Sequence, residues 1–149
     1  MKRLFFATAV LMSFSSMANM NSESWDIDSM AVVNFDGEPS MLSIVSYASR
    51  SSIALGMKSS SCITRDNNAT PYGVIKVNTV GVKFVKQCVG NGVEALMPYT
   101  NKGNNYIIKE LKNKKIVQFK DLSFSTSFKT KGFTPVYDKY KNYSDDKGI

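Results

Sequence analysis

The residues that could do chemistry in this chain are few, and they do not fall into a catalytic pattern. The sequence contains no histidine, so it lacks the side chain that most often serves as general base, metal ligand or sensor of neutral pH. Two acidic pairs, Asp26 with Asp28 and Asp36 with Glu38, have a spacing that also occurs in glycosidases and calcium sites. The first pair would share one face of a strand and the second belongs to a turn. We therefore expect no enzymatic activity, no metal site and no cofactor.

The two cysteines, Cys62 and Cys88, indicate a structural disulfide. An even number of cysteines is typical of such a bond when a chain is exported, which the N-terminal pattern described below predicts. It would close a loop of about 25 residues and contribute on the order of 3 kcal/mol in the chain-entropy treatment. The alternative is a pair of free thiols, but there is no Cys-x-x-Cys spacing and no histidine to activate them.

The positive charge is concentrated in the last third of the chain. The formal net charge is +7, and from residue 101 onward there are 11 lysines, 5 acidic residues and no arginine. Because bidentate recognition of phosphates and bases favours arginine, we expect no nucleic-acid partner. The lysines indicate either a contact surface for an anionic partner or a solvated face that protects an edge strand from aggregation. The candidate contact residues here are Lys109, Lys112, Lys114 and Lys115.

The N-terminus has the pattern of an export signal. Two basic residues precede an apolar run, Leu4–Met12, and a small-x-small cleavage site at residues 16–18. We predict a signal peptide over 1–18 and a single β-rich domain over 19–149, with a tail that frays from about residue 144. The apolar run is shorter than the roughly 20 residues that span a bilayer. We therefore expect a periplasmic or secreted product without a transmembrane segment.

Most of the remaining chain has the alternation of β-strands. The strongest signal is Gly73–Val89, in which residues 78–81 indicate either a hairpin turn or a bulge in one long strand. Asn91-Gly92 is typical of a hairpin turn. Further strands are predicted at Trp25–Phe35, Met41–Ala48, Ile53–Met57, Val93–Met97 and Ile116–Phe119.

Helical spacing is found in one internal segment. Ile107, Ile108 and Leu111 recur at the period of an α-helix, which Asn104 or Asn105 would cap. We predict a short helix that ends at about residue 113.

The C-terminal part combines a strand and a second helix. Leu122, Phe124, Thr126 and Phe128 alternate with polar residues, so Leu122–Phe128 is predicted as a strand with one buried face. After Gly132, Thr134 is suited to cap a helix and Pro135 to its first position.

Together these patterns predict a mainly β fold. Seven to nine short strands with mostly hairpin connections favour an antiparallel β-sandwich or a partly open barrel, with one short inserted helix and one short C-terminal helix. The turn-rich segment 64–73 is predicted to be a surface loop. Arg65, Asp66 and Asn67 in this loop are further candidate contact residues.

The C-terminal stretch FSTSFKTKGFTPVYDKY resembles the invasion-associated locus B family of bacterial envelope proteins. The early tryptophan, the cysteine pair and the strand ended by Pro98 add to this likeness, which is concentrated in Phe124–Tyr140 and looser over Gly92–Phe119. The resemblance implies an exported β-sandwich with an interaction role in the envelope or at the host interface. It carries over no catalytic residue.

The sequence therefore predicts an exported, non-enzymatic binding or interaction module of the bacterial cell envelope. Its expected partner is another protein or an anionic envelope surface. The alternative function is that of an inhibitor or immunity protein, which would use the 64–73 loop to block a cell-envelope enzyme or a toxin.

Overall fold

The structure, a computed structural model, describes residues 20–34, 36, 37 and 39–145, with side chains as far as residue 141. The predicted export signal lies outside these residues. Within these described residues, eight strands and two helices follow one another: β1 (Ala31–Asn34), β2 (Ser40–Tyr47), β3 (Arg50–Lys58), β4 (Thr70–Val77), β5 (Val80–Gly90), β6 (Val93–Pro98), α1 (Asn101–Asn113), β7 (Ile116–Lys120), β8 (Ser125–Lys129) and α2 (Phe133–Asp145).

All eight strands belong to one antiparallel sheet in the order β1-β2-β3-β6-β5-β4-β7-β8. The sheet curls until its two edges meet. Thr126 on β8 accepts a hydrogen bond from Asn34 Nδ2 at 2.9 Å, and its Oγ1 lies 2.6 Å from Ser40 Oγ. The prediction of a mainly β fold with two short helices is confirmed, and the architecture is a nearly closed barrel-like sheet.

Two long connections cross opposite ends of this barrel. Residues 59–69 run from the end of β3 to the start of β4 and pass the end of β5, where Asp66 N–H donates to the Cys88 carbonyl at 3.0 Å. At the other end, α1 leads from β6 to β7. These two connections form the ends of the barrel, where the candidate site residues lie.

The inner face of the sheet and the two helices enclose the main core. Aromatic rings pack edge to face within it: Trp25 with Phe133 at 4.9 Å and Phe119 with Phe128 at 6.0 Å between ring centroids. Burial of such large rings stabilises a domain of this size. The other large and fully buried side chains of this cluster are Leu42, Ile44, Ile53, Leu55, Ile75, Ile107 and Leu111.

Both predicted turn motifs of the central meander form hairpins. Asn78 has a φ of 53° between β4 and β5, so the hairpin, and not the bulged single strand, is the correct interpretation of residues 78–81. Asn91 and Gly92 both have positive φ, as a type I′ turn requires.

The predicted disulfide is present. Cys62 and Cys88 are bonded, with their Cα atoms 5.4 Å apart. The bond fixes the 59–69 connection to the end of β5. In the part of the chain that the structure describes, no helix is long and apolar enough to cross a membrane.

Several predicted boundaries were wrong for local reasons. The first strand is limited to Ala31–Asn34, because residues 27–30 form a turn. Leu122 is fully exposed, because the Asp121 carboxylate accepts the N–H groups of Ser123 and Phe124 and turns the chain before β8. The alternation holds only from residue 125.

The helix caps also differ from those predicted. Thr100 caps α1, with its hydroxyl accepting the Gly103 N–H at 3.0 Å, whereas Asn104 is buried inside the helix. The second helix begins at Phe133, so Thr134 lies within its first turn and is exposed.

Candidate functional site

The predicted loop residues lie beside the disulfide and are exposed. The Arg65 Nε donates to Asn67 Oδ1 at 3.3 Å, and Asp66 Oδ1 accepts the Asn68 N–H at 2.9 Å. Gln87 Nε2 donates to the Asp66 carbonyl at 2.9 Å. The loop is thus held by several bonds and presents Arg65, Asp66 and Asn67 in a defined arrangement.

The four predicted lysines lie on the second half of α1 and just after it, and all are exposed. Lys112 connects the two helices, because its Nζ lies 3.9 Å from Asp138 Oδ1 and 4.9 Å from the Tyr137 ring centroid. The backbone carbonyls of Lys114 and Lys115 accept hydrogen bonds from Thr130. Cations in the last turn of a helix also interact favourably with its dipole.

The structure does not bring the loop and the lysines together. They occupy opposite ends of the barrel, because Cys62 lies where β5 ends and β6 begins, whereas α1 starts where β6 ends. One ligand of ordinary size cannot contact both sets.

The acidic pairs are parts of turns. Asp26 Oδ1 accepts the N–H groups of Asp28 and Ser29 at 2.9 and 2.7 Å. The backbone hydrogen bond from Ser29 lowers the pKa of Asp26, against a smaller opposing effect of burial. The expectation that Asp26 and Asp28 share a strand face was wrong. Asp36 is exposed, and Glu38 lies outside the described residues.

A polar cleft that the sequence did not reveal lies between the β2–β3 turn, the first turn of α1 and α2. Its volume is about 540 Å³. Among the described residues, its lining consists of hydroxyl, amide and cationic groups without an acidic side chain: Ser46, Ser49, Arg50, Ser51, Asn101, Asn104, Asn105, Tyr137 and Lys141. We refer to it as the Arg50 cleft.

Arg50 is the central cation of this cleft. Its Nη1 donates to Asn101 Oδ1 and its Nη2 to the Pro98 carbonyl at 2.7 Å, while the guanidinium lies 5.9 Å from the Tyr47 ring centroid. The Arg50 Nε is buried and has no hydrogen-bond partner. None of the ion pairs among the described residues involves Arg50. Burial lowers the pKa of Arg50, and Tyr47 partly opposes that effect.

Two elements hold Arg50 in position. The start of β3 extends beyond its pairing with β6, which covers only residues 55–58 of β3. The first turn of α1 fills this gap: Asn104 Nδ2 donates to the Ser51 carbonyl at 2.9 Å, and Asn104 Oδ1 accepts the Ile53 N–H at 3.1 Å. The Arg50 guanidinium is therefore placed against the N-terminal end of a helix, where the dipole adds positive potential.

This arrangement can bind an anion. A partly desolvated guanidinium whose acceptors, Asn101 Oδ1 and the Pro98 carbonyl, are neutral favours a carboxylate, sulfate or phosphate group, since charge-assisted hydrogen bonds are the strong ones. Lys141 lies in the same lining, and the serine and asparagine side chains can hydrogen-bond the uncharged part of a ligand.

Comparisons with known proteins give no independent assignment. No family model, no curated protein and no solved structure matches this chain. Within the part of the chain that the structure describes, no group of three His, Cys, Asp or Glu side chains could hold a metal ion.

Proposed function

We propose that the protein is an exported, non-enzymatic binding module of the bacterial cell envelope, and that its ligand carries an anionic group held in the Arg50 cleft. The observation that carries the proposal is the Arg50 guanidinium, whose buried Nε lacks a partner and whose cleft has no acidic side chain among its described lining residues. The resemblance of Phe124–Tyr140 to the invasion-associated locus B family supports the envelope assignment.

Anion binding in the Arg50 cleft is favoured because desolvating a charge is costly. A cation that loses water without gaining an anionic neighbour is unfavourable, and the unpaired N–H adds to this. Asn101 and the Pro98 carbonyl supply only neutral acceptors to Arg50. An anion in the cleft would supply the missing charge, so its binding is favoured by the arrangement of the free protein.

The test uses inorganic sulfate as a probe and follows the Arg Nε–H signals by NMR. We expect the Arg50 Nε–H signal to shift with sulfate and reach saturation at millimolar concentration. The Arg65 Nε–H signal, at the other end of the barrel, is the internal control and should show no saturable shift. An Arg50 signal that does not move, or that moves linearly in the same way as the Arg65 signal, would contradict the anion site.

A matched pair of variants separates charge from geometry. Arg50→Lys keeps the charge but lacks the planar fork of N–H donors, and Arg50→Gln removes the charge. We expect sulfate affinity to fall by about tenfold for Arg50→Lys, which corresponds to a loss of about 1.4 kcal/mol in binding free energy. The affinity should fall further for Arg50→Gln. Arg65→Gln should keep the affinity of the unsubstituted chain.

The envelope assignment has its own test. If residues 16–18 form the cleavage site, protein from an envelope fraction should begin at Asn19 or within two residues of it. Intact-mass measurement decides this, and mature protein that retains Met1 would contradict export.

The second candidate function, an inhibitor or immunity protein, is favoured by the disulfide-anchored loop. The Cys62–Cys88 bond and the hydrogen bond from Gln87 to the Asp66 carbonyl hold the loop in one conformation. Such preorganisation lowers the entropic cost of binding a target. An inhibitor should retain one envelope hydrolase in equimolar amount in a pull-down, and an Asp66→Ala, Asn67→Ala double variant should lose it. Equal retention by the double variant would exclude this loop as the contact.

A further inference from the structure

Two lysines face each other across neighbouring strands on the outer surface of the barrel. Strands β4 and β7 are joined by the pairs Lys76 with Lys120 and Val77 with Phe119. Val77 and Phe119 belong to the main core, so the lysine pair points outward, and both lysines are exposed. Like charges directly opposite each other on one face of a sheet are destabilising. The outward pair of this short junction therefore opposes the pairing of the two strands.

Lys83 adds a third positive charge to the same outer face. It lies on β5 between the core residues Val82 and Phe84, so its side chain also points outward. Its partner across the β4–β5 hairpin is Val74, which precedes Lys76 by two residues on the same face of β4. None of the ion pairs among the described residues involves any of these three lysines.

Protection of a sheet edge does not explain these lysines. Lysines often keep an exposed edge strand from pairing with another chain. In the order of the sheet, however, β4, β5 and β7 each have a neighbour on both sides, and the two edges are β1 and β8. Three positive charges on interior strands, two of them directly opposed, are better explained by a ligand that carries negative charge.

Exposed apolar side chains lie beside the lysines. The Tyr99 N–H donates to the Lys83 carbonyl at 2.8 Å, which places Tyr99 opposite Lys83, and this tyrosine is 60 % exposed. Val74, on the other side of Lys83, is 57 % exposed. The row across β6, β5 and β4 therefore presents an aromatic, a cationic and an aliphatic side chain to the solvent.

Leu122 extends this row beyond β7. It is fully exposed in the turn that follows β7. The Tyr72 hydroxyl donates to the Asp121 carboxylate, which fixes this turn beside β4. We refer to the whole set as the Lys76 surface, which consists of Val74, Lys76, Lys83, Tyr99, Lys120 and Leu122.

We propose that the Lys76 surface binds the headgroup region of a bilayer that contains anionic phospholipid. Lysines near such a bilayer are attracted to its negative surface potential. Tyrosine is typical of the interface between lipid and water, and Val74 and Leu122 lose contact with water when they enter it. An acidic polymer would attract the lysines equally, but it offers no apolar region for these side chains. The proposal does not depend on the Arg50 cleft.

Vesicle flotation tests the contribution of the charges. Protein purified from the envelope fraction would be mixed with vesicles of phosphatidylcholine, with or without phosphatidylglycerol. We expect binding to the vesicles that contain phosphatidylglycerol, and weaker binding as the salt concentration rises. Since each lysine near an anionic bilayer contributes roughly fivefold to affinity, a Lys76→Gln, Lys120→Gln variant should bind about 25-fold more weakly.

A second double variant is the matched control. Lys109→Gln, Lys115→Gln removes the same two charges from exposed positions on α1 and just after it, and it should keep nearly the affinity of the parent protein. Arg50→Gln should keep that affinity as well, so failure of the sulfate site and failure of the Lys76 surface are distinguishable. All variants share one N-terminus, so any contribution of that end to vesicle binding cancels.

Unfolding in urea shows whether the weaker binding reflects loss of the fold. The Lys76→Gln, Lys120→Gln variant should unfold at a higher urea concentration than the parent protein, because the repulsion between β4 and β7 is gone. A lower midpoint would contradict the premise that the opposed lysines cost stability.

Tryptophan fluorescence tests the entry of apolar side chains into the bilayer. The single native tryptophan, Trp25, is buried and its emission should not change. In a Leu122→Trp variant, the added tryptophan should shift its emission to shorter wavelength with phosphatidylglycerol vesicles and stay unchanged with soluble polyglutamate. Equal vesicle affinity of the two lysine double variants would overturn the proposal, and so would an emission maximum that vesicles do not move. Binding to polyglutamate without binding to vesicles would also overturn it and identify an acidic polymer as the partner.

Discussion

The side-chain amide of Asn104 replaces a strand as the hydrogen-bonding neighbour of Ile53. Its Oδ1 accepts the Ile53 N–H at 3.1 Å, and its Nδ2 donates to the Ser51 carbonyl at 2.9 Å. Both backbone groups lie where β3 has lost its partner β6. A primary amide has the same donor and acceptor pair as a peptide group, so one side chain completes the barrel wall and fixes α1 to it.

Asn104→Ala should therefore destabilise the protein strongly. The substitution leaves a buried N–H and a buried carbonyl without partners, each at a cost of about 1–3 kcal/mol. We expect the free energy of unfolding to fall by about 2–4 kcal/mol, measured by urea denaturation. Asn105→Ala, on the adjacent exposed position, is the control and should change it by at most about 0.5 kcal/mol. Equal midpoints for the two variants would show that the amide pairing is not stabilising.

Phe128→Ala tests the alternation of β8. Phe128 is 1 % exposed and packs edge to face against Phe119, so its truncation should cost about 3–5 kcal/mol. Phe124 is only partly buried, because the turn at Asp121 precedes the strand, and Phe124→Ala should cost clearly less. Ser125→Ala, on the exposed face, is the control. Chemical denaturation gives all three values, and a Phe128 variant no less stable than the Ser125 variant would contradict the assigned face.

The mainly β class was predictable because the signals of its strands and hairpins are local, although the sequence left a sandwich and a partly open barrel as alternatives. Alternating apolar residues and the Asn91-Gly92 turn determine strands and hairpins over a few residues. The closure of the barrel was not predictable to the same extent, since it depends on Asn34 and Thr126, which are 92 positions apart. Local patterns also failed at Leu122. Its place in the alternation predicted a buried side chain, but the Asp121 carboxylate accepts the Ser123 and Phe124 N–H groups and turns the chain there.

The candidate site was the least predictable feature. Lys109 to Lys115 and the 64–73 loop stand out by composition, whereas the Arg50 cleft combines common serines and asparagines from three separate elements. The serines and asparagines that line the cleft have no recognisable spacing in the sequence, because they lie on separate elements that only the fold brings together. The one available signal was that Arg50 interrupts the apolar stretches of the β2–β3 hairpin, a position that is also typical of an ordinary exposed turn.

Gly103→Ala tests the packing of α1 on the sheet. A Cβ at this position would lie 2.7 Å from Val82 Cγ1 and 3.2 Å from the Thr100 hydroxyl that caps the helix. In an exposed helix the change would be favourable by about 1 kcal/mol. Here overpacking should reverse the sign, with a loss of about 1–3 kcal/mol in the free energy of unfolding.

A double-mutant cycle separates the two contributions to the Gly103 effect. Val82→Ala removes the methyl group that the new Cβ would meet. In the Val82→Ala background we expect Gly103→Ala to be neutral or stabilising, as helix propensity alone predicts. An unchanged penalty in that background would mean that the Val82 contact is not the cause. Thermal unfolding of the four proteins provides the measurement.

The pH dependence of stability should report on Asp121. Burial alone would raise the pKa of Asp121, but hydrogen bonds from the Tyr72 hydroxyl, Ser123 and the Phe124 N–H together hold this pKa below its ordinary value. A carboxylate whose pKa is lower in the folded than in the unfolded protein stabilises the fold above its unfolded pKa of about 3.9. That contribution is lost as the pH falls through the folded pKa.

Asp121→Asn isolates this contribution. At pH 7 we expect the variant to be less stable by about 1 kcal/mol, a value reduced for the partial exposure of the carboxylate. Because protonation removes the charge from the parent protein as well, the difference should shrink below about pH 4. Tyr72→Phe removes one donor, so it should reduce the same pH-dependent part without introducing an amide. Urea denaturation between pH 2.5 and pH 7 measures the difference, and a stability gap that stays constant over this range would show that the Asp121 carboxylate does not stabilise the turn through its charge.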